Sequence, residues 1–208
     1  MVSPSIVSVT PTETNFSITW RLGIHCNYDC MYCPAIWHDN TSKQHSLEAL
    51  QHSWMSIYEK THLRNLKYKI SFTGGEVTAN KQFLPFIKWL KTNYSRDIVQ
   101  ILCTTNGSAS LQYYKRLLHY VDNISFSIHS EHINETKLFG MIATLKHEID
   151  AAKFLHVNIM NEFWNQDRIN FYKQFLTQHE ISHSTNIIDY SLQTREHPVF
   201  KGKLNFEI

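Results

Sequence analysis

At 208 residues, with 20 Lys and Arg against 18 Asp and Glu and a formal charge of +2, the chain is long enough for one well-buried domain and short for two. No dense basic run occurs, so neither a nucleic-acid footprint nor a membrane-surface patch is expected. A charged fraction of 18% beside 13% aromatic residues points to a substantial core with an aromatic-lined surface or cavity.

The opening stretch MVSPSIVSVTPTETNF has no charged leader and no long apolar run, and nothing approaches the ~18 apolar residues of a membrane span. The expected address is the cytoplasm, where thiols stay reduced. Apolar, β-branched segments bounded by turn residues then recur as FSITWRL (16–22), KYKISFT (67–73), DIVQILCT (97–104), NISFSIH (123–129), FLHVNIM (154–160) and STNIIDYSL (184–192). Helical segments separate them. One starts at Ser46 and carries Leu47, Leu50, Trp54, Ile57 and Tyr58 near helical spacing. A second covers 81–94, with Pro85 tolerable only in its first turn, and others start from Ser110, Asn134 and Asn165.

After the first strand the strands repeat about every 30 residues, the size of a βα unit, which predicts an α/β fold with a parallel sheet and right-handed crossovers. Two architectures satisfy this: an open doubly wound sheet, or an incomplete barrel curved around a cleft. In both, ligands sit beyond the C-terminal ends of the strands. One domain, 1–208, is expected, with a core over about 16–192 and a C-terminal tail over 193–208.

Directly after the first strand comes HCNYDCMYCP, which packs Cys26, Cys30 and Cys33 into eight positions. A zinc site completed by Cys103, His25, His38 or His45 is one reading, although the spacing does not match paired CxxC knuckles. The other is a [4Fe–4S] cluster with three protein ligands and one open iron. The pattern CNYDCMYC, with Tyr32 just before the last cysteine, resembles the signature of the radical S-adenosylmethionine (radical SAM) superfamily. That resemblance implies that Cys26, Cys30 and Cys33 hold the cluster and that the open iron chelates SAM. Reductive cleavage of SAM then yields a 5′-deoxyadenosyl radical that abstracts a hydrogen atom from a substrate. It also implies six βα units in a partial (βα)6 barrel.

Gly74-Gly75-Glu76, after the second strand, resembles the family's GGE motif, which binds the SAM amino group; Val77 stands where the family usually has proline. Glycines there let backbone approach a ligand, and a carboxylate accepts hydrogen bonds from an ammonium. Taken alone, the segment reads first as a Gly-Gly turn between strand and helix with a solvated Glu. Asn106 lies in TNG, which many family members carry at this place and which is also a turn signal. Ser127 and His129 alternate onto one strand face, and face the cleft if Ile128 points to a helix. Asn158 and Met160 are candidates for the adenosine side, and Ile187, Ile188 and Tyr190 for flanking the adenine. Tyr28, Tyr32 and Trp37 are placed to shield a cluster.

Only Cys103 remains outside the cluster loop, so a second cluster with its own cysteines is excluded. A strand cysteine is usually a small buried hydrophobe; facing the cleft, Cys103 would be a catalytic hydrogen-atom donor. The expected substrate is a peptide or small metabolite, and the expected electron source a flavodoxin or ferredoxin. Related compact enzymes are 7-carboxy-7-deazaguanine synthases, from which Pro34-Ala35 departs, and glycyl-radical activases. The reading outside enzymes is a non-catalytic zinc- or cluster-binding protein.

Overall fold

In the computed structural model, which describes residues 5–11, 15–34, 36–149 and 152–188, seven strands form one sheet in sequential order. They are β1 (Ser5–Pro11), β2 (Asn15–Arg21), β3 (Lys67–Thr73), β4 (Ile98–Thr105), β5 (Asn123–Ile128), β6 (Phe154–Asn161) and β7 (Ser182–Ile187). From β2 to β7 every pairing is parallel, while β1 runs antiparallel along β2. Helices α1 (Leu47–Thr61), α2 (Phe83–Tyr94), α3 (Leu111–Leu118), α4 (Glu135–Glu148) and α5 (Gln166–Gln178) connect the parallel strands in turn.

Sequential order does not fit the doubly wound alternative. A doubly wound sheet reverses its order at a switch point, and none occurs here. The sheet is open, with β1 and β7 at its edges. Strand β1 was not anticipated, although its IVSVT run carries β-branched residues; it pairs along what would otherwise be the exposed edge of β2. The expected last strand, 184–192, is shifted to Ser182–Ile187, and Tyr190 and the 193–208 tail lie outside the described residues.

The two faces of the sheet differ. Phe16, Ile18 and Trp20 of β2, Tyr68, Ile70 and Phe72 of β3, and Ile124, Phe126 and Ile128 of β5 are all buried against the helices. Trp20 meets Phe72 at 5.7 Å and Phe86 of α2 at 5.5 Å, and Trp54 of α1 meets Tyr68 at 5.2 Å. The intervening residues, including Thr19, Arg21, Ser71, Thr73, Thr104, Ser125, Ser127 and Asn158, are half-buried and mostly polar. Period-two alternation thus separates an apolar helix-facing side from a polar open side.

This separation places Cys103 on the buried side, as a small core hydrophobe rather than the cleft-facing catalytic donor. Register puts it in one row with Trp20, Phe72, Ile124 and Leu155, all buried on the helix side. It is fully buried, and burial holds its thiol well above the ordinary range. Cys103 is a core residue and does not reach the polar face.

Ser46, Ser110 and Asn134 cap α1, α3 and α4 as expected, accepting from Ala49, Tyr113 and Lys137 N–H. Asn165 does not cap α5, because its amide donates to Ser130 Oγ and Glu162 instead. No helix among the described residues is long and apolar enough to cross a membrane.

Candidate functional site

The cysteine loop leaves β2 and is bound at once to the turn that leaves β3. Leu22 N–H donates to Thr73 O (2.9 Å), Gly75 N–H to Gly23 O (3.0 Å) and Glu76 N–H to His25 O (2.8 Å). The strand ladder therefore continues past the strand ends and joins the two loops. This explains the glycine pair. A Cβ on Gly75 would stand 2.2 Å from His25 O, and one on Gly74, at φ +145°, 2.7 Å from Gly23 O. The sequence suggested close approach to a ligand; the nearest neighbour of both glycines is the cysteine loop's own backbone, although both also line the adjoining cavity.

The far end of the loop is closed by Asp39. Cys26 N–H donates to Asp39 O (2.7 Å) and Asp39 N–H to Ile24 O (2.9 Å). The Asp39 carboxylate accepts from Thr41 N–H (3.0 Å), Ser42 N–H (2.7 Å) and the Ser42 hydroxyl (2.5 Å). His38 is buried beneath the loop with Nε2 2.8 Å from Tyr28 O.

Beyond the C-terminal ends of the strands lies a cavity of about 370 Å³, within the range of roughly 300–1,000 Å³ usual for small-molecule sites. Cys26, Cys30 and Cys33 all line it, as do Gly74, Gly75, Glu76, Asn106, Ser127, His129, Asn158, Tyr28 and Trp37. None of the four cysteines is in a disulfide. Burial pushes Cys26 up to about 11 and Tyr28 up to about 12, with the Glu76 carboxylate adding to both. Burial raises Cys30 further, with Glu131 and the other two loop thiols contributing. Cys26 and Cys30 are thereby held toward the thiol form.

Among the described residues, the donor group that closes to within 4.8 Å is Cys30, Glu131 and His132; the three thiols as a set do not. Tetrahedral zinc would bring its thiolates within about 4 Å of one another, and the trio does not form such a close group here. The anticipated fourth zinc ligands are elsewhere. Cys103 is on the other face of the sheet, His25 Nδ1 is 3.1 Å from Ser42 O, and neither they nor His38 or His45 join a close donor group.

Glu76 is buried in a cradle of donors. Its Oε1 accepts from Thr78 N–H (2.9 Å), the Thr78 hydroxyl (2.6 Å) and the Thr105 hydroxyl (2.7 Å), while Oε2 accepts Asn106 N–H (2.6 Å). Burial raises its carboxyl above the ordinary value against the opposing pull of these bonds. Asn106 is tied to the cysteine loop as well, donating to Asn27 Oδ1 at 3.0 Å.

A second buried carboxylate, Glu162, follows β6 and was not singled out in the sequence. It accepts Ser130 N–H (3.0 Å), the Ser130 hydroxyl, Asn165 Nδ2 (3.1 Å) and the Tyr32 hydroxyl (3.3 Å). Tyr32 OH is also 2.8 Å from His129 Nδ1, and the two rings stack at 5.9 Å. Tyr32 thus anchors the cysteine loop to the ends of β5 and β6. Ile188 packs on the same side with Cys30 and Tyr32; Ile187 is exposed and outside this group. Its place directly after a parallel strand was the signal for Glu162, since ligand sites sit at those ends.

Ser127 and His129 face the cavity, with Ile128 buried against the helices. Asn158 donates to Ser125 Oγ (2.7 Å) and accepts from the Ser184 hydroxyl (3.0 Å), knitting β5, β6 and β7 across the polar face. Burial, with a lesser push from His132, lowers the His129 imidazole to about 4 from 6.5. Stability owed to neutral His129 is therefore complete above pH 6.5 and lost as pH falls through 4. Urea denaturation at pH 7 and pH 4 should show His129→Gln losing about 3 kcal/mol less than wild type over that interval; equal losses would contradict this burial.

No protein-family model matches the chain, and no curated protein matches it. Among solved structures it is similar to BtrN in complex with AdoMet and 2-DOIA, at 16% identity and TM-score 0.48, over 69% of this chain and 54% of that one. It is also similar to BtrN in an open conformation, at 18% identity and TM-score 0.44, over 62% and 55%. The chain spans about half the length of these structures.

Proposed function

We propose that the chain is a radical SAM enzyme and that its polar sheet face is the inner wall of a partial (βα)6 barrel. One observation carries this reading. The loop that carries three thiols is bound to the Gly74-Gly75-Glu76 turn by backbone hydrogen bonds through Gly23 and His25, and both open onto one cavity at the C-terminal ends of parallel strands.

Cys26, Cys30 and Cys33 would hold a [4Fe–4S] cluster, to which three thiols lining one cavity are suited. When bound, cluster and SAM supply a 5′-deoxyadenosyl radical, the oxidant that takes a hydrogen atom from a substrate C–H bond. Glu76 Oε2 accepts one N–H, from Asn106, and retains an acceptor position for the SAM ammonium. Tyr32 and Ile188 pack behind Cys30 and exclude water there. Ser127, His129 and Asn158 line the wall available to ribose or substrate, and the hydrogen bonds of His129 and Asn158 fix those two side chains. A flavodoxin or ferredoxin is the proposed electron source, and a peptide or small metabolite the substrate.

The close group of Cys30, Glu131 and His132 favours a second reading, a non-catalytic zinc protein. Anaerobic reconstitution with iron and sulfide separates the two. The radical SAM reading predicts a coloured protein with about four irons per chain, and loss of that iron in Cys26→Ser, Cys30→Ser and Cys33→Ser. A colourless protein that takes one zinc and loses it in Glu131→Gln would overturn it.

A further inference from the structure

Among the described residues, the cavity wall contains one permanent cation that the chemistry above leaves unused. Arg21 ends β2 on the polar face, opposite Thr73 in the parallel register, and lines the cavity beside Gly74 and Gly75. Its guanidinium lies 5.6 Å from the centroid of the Trp37 ring, which reaches over from beyond Cys33. Among the described residues it makes no hydrogen bond and no ion pair. By contrast, Arg168, Lys67, Lys91 and Lys115 each stand against a carboxylate.

The rest of the wall near it is neutral. Thr73, Thr104, Ser127, Asn158 and Asn186 offer hydroxyls and amides, and Glu76, the one carboxylate among the described lining residues, is held by four other donors and makes no bond with Arg21. A half-buried guanidinium that rests near an aromatic ring and has no acceptor among the described residues keeps its donor fork available, and a bidentate oxyanion is the partner that matches the fork. We infer that Arg21 is the anchor for a carboxylate or phosphate group on the substrate, so that the cavity selects a small, polar, anionic molecule. The inference rests on the proposed function for the word substrate, but anion capture by Arg21 needs no cluster. SAM does not supply the anion, because its carboxylate is expected on the open iron.

The test uses the full chain as purified, without a cluster, titrated calorimetrically with inorganic phosphate and separately with succinate at low ionic strength. Wild type should bind at least one of them in the millimolar range, and whichever binds reports the anion class. Arg21→Gln should weaken that binding about tenfold, the loss of one charge-assisted bidentate contact. Arg21→Lys, which keeps the charge without the fork, should retain part of it. A third arm measures SAM binding to the reconstituted protein, which Arg21→Gln should leave unchanged. Equal anion binding in wild type and Arg21→Gln, binding of neither anion by wild type, or loss of SAM binding in Arg21→Gln would each overturn the assignment. Because the anion arms are read without a cluster, their failure is separate from any failure of SAM chemistry.

Discussion

Replacing Gly75 by alanine is expected to cost about 3 kcal/mol of folding stability and to abolish iron binding by the cysteine loop. The added methyl would stand 2.2 Å from His25 O and 2.5 Å from Ile24 O, both backbone atoms that no side-chain rotation can clear. Relief requires the two loops to part, which breaks the bonds from Gly75 N–H to Gly23 O and from Glu76 N–H to His25 O. Parting carries Cys26 away from the cavity, because Cys26 follows His25 directly. Gly140→Ala is the control of opposite sign. That glycine is exposed within α4, and its Cβ would meet nothing within 4 Å. There the gain is lower backbone entropy in the unfolded chain, about 0.5–1 kcal/mol of added stability with iron binding intact. Chemical denaturation and iron content of the two variants measure both effects. A Gly75→Ala protein with wild-type stability and iron would show that the loops are not held together this way.

Glu76→Gln is the second large effect. Four donors converge on the carboxylate, three of them on Oε1 and one on Oε2. An amide NH2 in place of either oxygen faces at least one N–H or O–H with another donor. The expected loss is about 2 kcal/mol at neutral pH, and SAM binding to the reconstituted protein should weaken about tenfold with the loss of a charged acceptor. The pH dependence identifies the residue. Burial raises the Glu76 pKa, so its contribution is greatest below its ordinary value of 4.5 and falls as pH rises through the raised value. This slope is opposite in sign to that of His129 and should vanish in the glutamine variant. Unchanged SAM affinity in a folded Glu76→Gln protein would make Glu76 a structural hinge rather than a ligand-binding group.

The parts of the fold governed by local chemistry were readable from the residues. Strand β3 coincides with the expected KYKISFT segment, and Ser46, Ser110 and Asn134 cap the helices they precede. Side-chain alternation was equally legible along β4, but alternation alone cannot say which face is buried. Cys103 was therefore ambiguous until its row partners Phe72 and Ile124 fixed its side. The roles of Gly74 and Gly75 depend on a loop some fifty residues earlier, a contact that no local pattern encodes. Glu162 and Arg21 escaped notice for the same reason. A single Glu or Arg at a strand end reads as solvated surface until the structure reveals the cradle around one and the bare cavity wall beside the other. Asn165 had the right identity for a cap, but a tertiary demand from Glu162 and Ser130 outcompeted the local one.

The most direct test of the chemistry is 5′-deoxyadenosine formation. Anaerobically reconstituted wild-type protein, given SAM and dithionite, should release 5′-deoxyadenosine and methionine even without its substrate. A variant in which Cys26, Cys30 and Cys33 are all serine should release none. Protein that carries its full iron complement yet leaves SAM intact would contradict radical SAM chemistry for this chain.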